Sequence, residues 1–292
     1  MCDDVILFVG GRNVGKTSIL SCLFLSTMPH ETTFLEPSST PITHTLTIAS
    51  LPLHLMDIPH EIDPSDIMYN VTTIAKRIHI IAIVDLGDTT QNSISSETFA
   101  YLHSLTATLE HLQCPHHALH IFLHKMDCCN YVEDDMLSTC SHVRQLCSDS
   151  KCVSINFTSI YDHSLSAAMS TIIRSFHPQT MPLTHLANTI VTDCHIHASV
   201  MCFDKKHLLL VALDTYTPTD PSLQHTIVET LLMITQCMDA ITNSSDVTQA
   251  SINLRDTMCE IVSSGDIYFV LITSSKCSPS TIAQFVCHAL SI

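Results

Sequence analysis

Glycine, positive charge and long apolar runs are all scarce in this chain, and tryptophan is absent. Twelve lysines and arginines stand against twenty-eight aspartates and glutamates, a net charge of −16, and Lys76-Arg77 and Lys205-Lys206 are the only adjacent basic pairs. With no basic face to neutralise phosphates, nucleic-acid binding is not expected. Direct adhesion to anionic lipid is disfavoured too, because that surface carries the same sign. The longest apolar runs, residues 80–84, 208–213 and 267–272, have strand length. They fall far short of the ~18 residues a membrane-spanning helix needs. The start, Met1-Cys2-Asp3-Asp4, is acidic, the wrong sign for a secretory signal, and neither a myristoylation glycine nor a C-terminal prenylation cysteine is present. These shortages predict a cytoplasmic protein with no direct membrane insertion, reaching any membrane through a partner. No C-x-x-C spacing occurs among the fourteen cysteines, which read as reduced thiols filling core space. The twenty histidines include His116-His117 and His195-x-His197, but neither pair has the flanking ligand spacing of a zinc site.

Three of the five glycines fall in one stretch, Gly10-Gly11-Arg12-Asn13-Val14-Gly15-Lys16-Thr17-Ser18, directly after the apolar run 5–9. This is Gly-x-x-x-x-Gly-Lys-Thr between a strand and a helix expected over 17–25. Glycine lets the main chain curl with positive φ and approach a ligand closely. Residues 12–18 then aim N–H groups at phosphate oxygens, Lys16 adds charge, and Thr17 offers Mg²⁺ a hydroxyl. The helix directs its positive end at the same place. A tight strand-to-helix turn is the plainer explanation, but it does not account for Lys-Thr following the glycines.

With 292 residues, 46% of them apolar, one large or two ordinary domains can form. Residues 28–43, rich in Thr, Ser and Pro, read as a loop. Strands follow over 45–49 and 51–57, the second ending in Asp57, where a phosphate-loop enzyme holds Mg²⁺. A helix is expected near 67–76, a buried strand over 79–85 and a helix over 97–112 with a stripe of Leu102, Leu105, Leu109 and Leu112 that reads as core. The strand 118–124 ends in His124-Lys125-Met126-Asp127. An aspartate at a strand end can accept two hydrogen bonds, from N1–H and the exocyclic amine of guanine, and adenine offers no such pair. Lys125 packs its stem over base and loop. A helix over 134–149 and a strand over 153–157 precede Thr158-Ser159-Ile160-Tyr161-Asp162, whose Ser159 and Ile160 fall where a base would be contacted. Strands alternating with helices behind a phosphate loop predict an α/β, doubly wound, mostly parallel sheet.

The segment 176–182, with Pro178 and Pro182, marks a boundary between domains 1–177 and 183–292. Beyond it come a helix (183–191), paired strands (195–203 and 207–213), a long helix (221–241), three strands (252–255, 258–263, 267–273) and a final helix (278–290). That order predicts a small α/β sandwich on an antiparallel sheet. It lacks a glycine loop and a nucleophile, so it reads as an interaction module.

The phosphate loop, Glu31-Thr32-Thr33-Phe34-Leu35-Glu36, His124-Lys125-Met126-Asp127 and Thr158-Ser159-Ile160-Tyr161-Asp162-His163-Ser164 together resemble the Rag GTPases, Gtr in yeast, and most closely their C/D-type branch. The resemblance implies a Ras-like domain binding GTP or GDP with Mg²⁺, and a C-terminal roadblock domain. It implies an obligate heterodimer with an A/B-type Rag, docking on a lysosomal or vacuolar scaffold, and relay of amino-acid status to the TOR kinase complex. The Mg²⁺ set would be Thr17, Asp57 and a first-switch hydroxyl from Ser38, Ser39 or Thr40, with Thr40 preferred. One departure stands out. The family pattern Asp-x-Pro-Gly, often followed by Gln, reads here Asp57-Ile58-Pro59-His60-Glu61. His60 restricts the backbone swing onto the γ-phosphate, and Glu61 cannot orient water as Gln does. Slow hydrolysis and a bias to GDP are expected. A nucleotide-locked scaffold, a different trafficking GTPase and a phosphate-loop ATPase are the alternatives.

Overall fold

The computed structural model describes residues 2–36, 38–72, 75–87, 96–111, 117–129, 133–147, 152–193, 198–216, 227–229, 231, 249–254 and 257–274. They divide into two compact units, 1–47 with 52–165, and 48–51 with 166–292.

The first unit is built on six strands: β1 (Cys2–Gly10), β2 (Ile42–Ile48), β3 (Leu51–Asp57), β4 (Ala75–Asp85), β5 (His117–His124) and β6 (Cys152–Thr158). Their spatial order is β2-β3-β1-β4-β5-β6, and β3, β1, β4, β5 and β6 run parallel. Val5, Leu7 and Val9 share a face with Ile78, Ile80, Ala82 and Val84, and with Leu119, Ile121 and Leu123. Onto that face α3 (Ser96–His111) packs Leu102, Leu105 and Leu109, joined by Val71 of α2 (Pro64–Thr72) and Val143 of α4 (Glu133–Leu146). The intervening residues Ile6, Phe8, Ile81, Ile83 and Phe122 are buried as well. Burial on both faces explains why these strands read as continuous apolar runs. Each fully buried leucine contributes about 1.5–3 kcal/mol. Parallel strands of this kind leave all their carboxyl ends at one edge of the sheet.

A polar line crosses the opposite end of the strands. Asp4 is fully buried and takes both Nε and Nη2 of Arg77, at 2.6 and 2.8 Å. His79 and His120 stack with ring centroids 5.5 Å apart; His79 Nδ1 lies 3.2 Å from His120 Nε2, and His120 Nδ1 2.9 Å from Ser154 Oγ. Burial lowers the pKa of His79 to about 4 and that of His120 to about 3, so both rings are neutral at pH 7.

Two expectations for this unit are corrected. Residues 28–43 are not a featureless loop: Pro29–Phe34 form a 3-10 helix, and β2 begins at Ile42. The Glu31 carboxylate accepts the Met28 N–H at 2.9 Å, Thr32 and Thr33 donate to the Pro29 and His30 carbonyls, and proline opens the turn. The helix expected over 67–76 is α2, Pro64–Thr72, and Lys76 already lies in β4. Buried Asp4 stands opposite Arg77 in the β1–β4 register, which draws that segment into the sheet.

The second unit carries a five-stranded antiparallel sheet, ordered β8-β7-β11-β10-β9, of β7 (Ala198–Asp204), β8 (Leu210–Leu213), β9 (Gln249–Leu254), β10 (Thr257–Ser264) and β11 (Ile267–Ser274). Met201, Phe203, Val270, Ile272 and Ile261 form its core with Ile227 and Leu231. The rest of the expected helix 221–241, and the helix 278–290, lie outside the described residues. Two helices belong here: most of α5 (Ser164–Phe176), and α6 (Thr180–Asp193). Ser170 Oγ accepts the Leu210 N–H at 3.0 Å, and Thr180 Oγ1 donates to the Val211 carbonyl at 3.0 Å. The compact units divide at 165/166. Pro182 sits in the first turn of α6, where its missing N–H costs nothing. The 48–51 turn joins the second unit through the Ala49 N–H to Asp204 Oδ1 (2.7 Å), Ser50 Oγ to Asp266 Oδ2 (2.7 Å) and the Ile48 carbonyl to His177 Nε2 (3.0 Å). No helix among the described residues is long and apolar enough to cross a membrane.

Candidate functional site

At the carboxyl edge of the parallel sheet lies a cleft of about 360 Å³, lined by the glycine loop, by Thr32, Thr33, Leu35, Glu36 and Ser38, by Pro59 and His60, by His124, Lys125, Asp127 and Cys128, and by Ile160 with Tyr161. The loop needs its glycines at two places. A Cβ on Gly10 (φ +148°) would lie 2.5 Å from the Ile83 carbonyl oxygen, and one on Gly15 (φ +102°) 2.8 Å from His124 Cδ2. Inside the loop, Lys16 Nζ donates to the carbonyls of Gly10 (2.9 Å) and Gly11 (2.7 Å). Burial lowers the Lys16 pKa, and Asp57 and Glu61 oppose that shift.

Thr17 Oγ1 donates to Asp57 Oδ2 at 2.5 Å, while Asp57 Oδ1 is buried without a partner. A buried carboxylate oxygen left without a donor suits a hard cation or its bound water. Among the described residues no three His, Cys, Asp or Glu side chains gather as a metal centre. Thr17 and Asp57 would therefore hold Mg²⁺ together with phosphate oxygens and water, which fits the way that ion binds. Ser38 lines the cleft; Thr40 is exposed and outside its lining.

Across the cleft, His124 is buried, with Nδ1 3.0 Å from Thr158 Oγ1. Burial first and Lys125 second lower its pKa to about 4, so the ring that backs Gly15 is neutral. Lys125 adopts φ 64°, ψ 39°, and its Nζ reaches the Asn13 carbonyl (2.8 Å) and Asp85. Asp127 accepts a hydrogen bond from Ser159 Oγ, which in turn accepts the Tyr161 N–H at 3.1 Å; Cys128 Sγ donates to the other Asp127 oxygen at 3.4 Å. Desolvation raises the Asp127 pKa, but the Ser159 and Cys128 hydrogen bonds outweigh it, and the carboxyl lies below its usual range. Asp127 is thus a fixed, ionised acceptor facing open space.

The fold brings Arg12, Asn13, Val14, Gly15, Lys16, Thr17, Ser18, His60, His124, Lys125, Asp127 and Ile160 to one cleft, with Ser159 directly behind Asp127. His60 Nδ1 pairs with Glu61 Oε2 at 2.9 Å. The site residues read from the sequence did not include Thr32, Thr33, Leu35, Glu36, Pro59, Cys128 and Tyr161 of the lining, nor Asp85 behind Lys125. Cys128 and Tyr161 were findable as neighbours of recognised motifs; nothing local marks Asp85.

A strand feeding a glycine loop, a helix behind it, and a hydroxyl and carboxylate meeting beneath the loop define a phosphate-loop nucleotide-binding protein. The conserved region of the Gtr1/RagA G proteins matches residues 5–241, and the chain belongs to that family of GTPases. It is 26% identical over 224 residues to the GTP-binding protein gtr2 of Schizosaccharomyces pombe, covering 74% of this chain and 68% of that one. It is 28% identical over 225 residues to the Ras-related GTP-binding protein D of Mus musculus, covering 74% and 48%, and 24% identical over 226 residues to the GTP-binding protein GTR2 of Saccharomyces cerevisiae, covering 74% and 63%. The matched segment spans about half of the mouse protein. These low identities to Gtr2 and to Rag C and D proteins fit a divergent C/D-type member.

Proposed function

We propose that this chain is the slow, GDP-biased subunit of a Rag-type heterodimer, with guanine nucleotide and Mg²⁺ in the cleft and the C-terminal unit acting as a roadblock-type dimerisation module. The observation that carries the reading is Asp127, ionised and oriented by Ser159, lining one cleft with Lys16 and Thr17. An acceptor of this kind suits the two guanine donors. The partner would be an A/B-type Rag, the surface a lysosomal or vacuolar scaffold, and the output amino-acid status relayed to the TOR complex. Family membership and the relatives' description as GTP-binding proteins support the guanine-nucleotide part of this reading; partner, scaffold and output are what the Rag resemblance implies.

His60 and Glu61 support slow turnover. Glu61 engages His60 rather than presenting a neutral amide to a water, and it adds negative charge beside the Lys16 site. The same pair favours a second reading, a scaffold locked on one nucleotide, in which hydrolysis is irrelevant.

Co-expression with an A/B-type Rag, mass measurement of the complex and extraction of its nucleotide test the proposal. A one-to-one pair carrying guanosine phosphate, with single-turnover hydrolysis below the ~10⁻⁴ s⁻¹ scale of unassisted Ras-type enzymes, is expected. Regulated GDP release separates the switch from the locked scaffold. Material with no affinity for guanosine phosphates in the presence of Mg²⁺ would overturn both.

A further inference from the structure

We propose that Asp85 is a positioning residue for nucleotide retention, acting through Lys125 on the carbonyl of Asn13 in the glycine loop. The inference rests on the guanine-nucleotide reading above and adds a residue that no motif contains.

Asp85 is the last residue of β4 and lies opposite His124 in the β4–β5 register. The two strands end together, and the Leu86 N–H donates to the His124 carbonyl at 2.9 Å. Lys125 then turns through a positive φ of 64°, a conformation non-glycine residues seldom adopt. From there its ammonium donates to two acceptors, the Asn13 carbonyl at 2.8 Å and Asp85 Oδ2. Asp85 is held in turn: its Oδ1 accepts the Gly87 N–H at 2.7 Å, so the carboxylate cannot rotate without losing that bond. A Cβ on Gly87 would sit 3.2 Å from Asp85 Oδ1, 3.4 Å from Cys128 Cβ and 3.7 Å from Lys125 Cδ, so the turn lies against the lysine stem. Cys129 Sγ donates to the Leu86 carbonyl at 3.1 Å and closes the other side.

The 85–87 and 125–129 turns are therefore one hydrogen-bonded body, tied to the glycine loop at Asn13. Asn13 itself has a φ of 58° and lines the cleft. The Asp85 and Lys125 side chains are 19% and 32% exposed. In that partly dry setting a charge-assisted bond is stronger than on an open surface. With Asp85 neutralised, one backbone carbonyl is a weak hold on a long flexible ammonium, and the loop carbonyl loses its tether.

Two accounts of Asp85 predict opposite signs. As a bare negative charge it repels the phosphates, and its removal slows nucleotide release. As the anchor of Lys125 it steadies the loop, and its removal speeds release. The test is the release rate of fluorescent GDP from the purified full chain with Mg²⁺ present, for wild type, Asp85→Asn, Lys125→Met and the double variant. Loss of one charge-assisted bond corresponds to about tenfold faster release in Asp85→Asn. Asp85→Asn should add nothing further in the Lys125→Met background. Because Asp127 is untouched, the preference for GDP over inosine diphosphate should stay at the wild-type value. Asp85→Ser, which keeps an acceptor for Gly87, carries the same comparison should Asp85→Asn fail to fold. Slower or unchanged release, additive effects with Lys125→Met, or a changed GDP-to-inosine ratio would each overturn the role. Wild-type protein with no guanine-nucleotide affinity would remove the reading beneath it and this role together.

Discussion

Thr17 and Asp57, forty residues apart in sequence, meet in a 2.5 Å hydrogen bond under the glycine loop, leaving Asp57 Oδ1 buried and unpartnered. That orphaned oxygen is where the site departs from a self-contained protein interior. A native buried carboxylate oxygen almost always has a donor or a cation, and Thr17, which holds the other Asp57 oxygen, lines the cleft. Bound Mg²⁺ should therefore govern nucleotide release. Chelation with EDTA is expected to accelerate GDP release from wild type by at least about tenfold, as loss of one charge-assisted interaction would. Asp57→Asn should release GDP faster from the outset and respond little to EDTA. An undiminished EDTA response in that variant would place the metal elsewhere.

Asp127→Asn exchanges an acceptor for an amide that can donate. On the guanine reading proposed above, two hydrogen bonds to a charged group would be lost, each about 1.5–3 kcal/mol, so GDP should weaken by at least about a hundredfold. Xanthosine diphosphate, which offers a carbonyl where guanine offers its amine, should bind the variant better than GDP. Titration calorimetry with both nucleotides reads the exchange directly. Equal losses for both would mean that Asp127 only supports the loop.

His60→Gly with Glu61→Gln restores backbone freedom and a neutral water-orienting amide. Single-turnover GTP hydrolysis is expected to rise by roughly tenfold or more over wild type, one positioned group being worth that much in a proton-transfer or water-orienting role. An unchanged rate would show that the His60–Glu61 pair, 2.9 Å apart, does not limit turnover.

Acid should destabilise the first unit through three buried histidines. His79, His120 and His124 have folded pKa values pushed down to about 4, 3 and 4 by burial. An unfolded histidine titrates near 6.5. Their neutral forms are no burden above that value. As pH falls below it, the unfolded chain takes up protons that the folded state refuses, at up to about 2 kcal/mol per histidine by pH 5. Urea midpoints should drop steeply between pH 7 and pH 5. His79→Phe, which cannot titrate, should flatten the slope; the same slope in that variant would assign the acid sensitivity to other groups.

Much of this was legible in order along the chain. The glycine loop, Asp57, His124-Lys125-Met126-Asp127 and Ser159-Ile160 each sit at a strand's carboxyl end, and an apolar run that stops abruptly is visible in sequence. The line of Leu102, Leu105 and Leu109 is also core as periodicity suggests. Illegible were contacts made across strands. Asp4 pairs with Arg77 across β1 and β4 just past where a helix to Lys76 was expected, and the hydroxyl and carboxylate bonds around Pro29–Phe34 accompany a 3-10 helix in a segment whose composition says loop. Also illegible were the side-chain bonds from Ser170 and Thr180 that attach α5 and α6 to β8.

By itself the sequence determined the chemistry available: a flexible glycine curve, one lysine, one hydroxyl and two aspartates, spaced so that any alternating strand–helix chain must bring them to one edge. Tertiary structure alone decided how those groups are held. Strand register sets Asp85 beside Lys125, Ser159 behind Asp127 and His124 against Gly15. The reason is that backbone pairing between strands thirty or more residues apart fixes which side chains become neighbours, and a one-residue change of register would exchange them all.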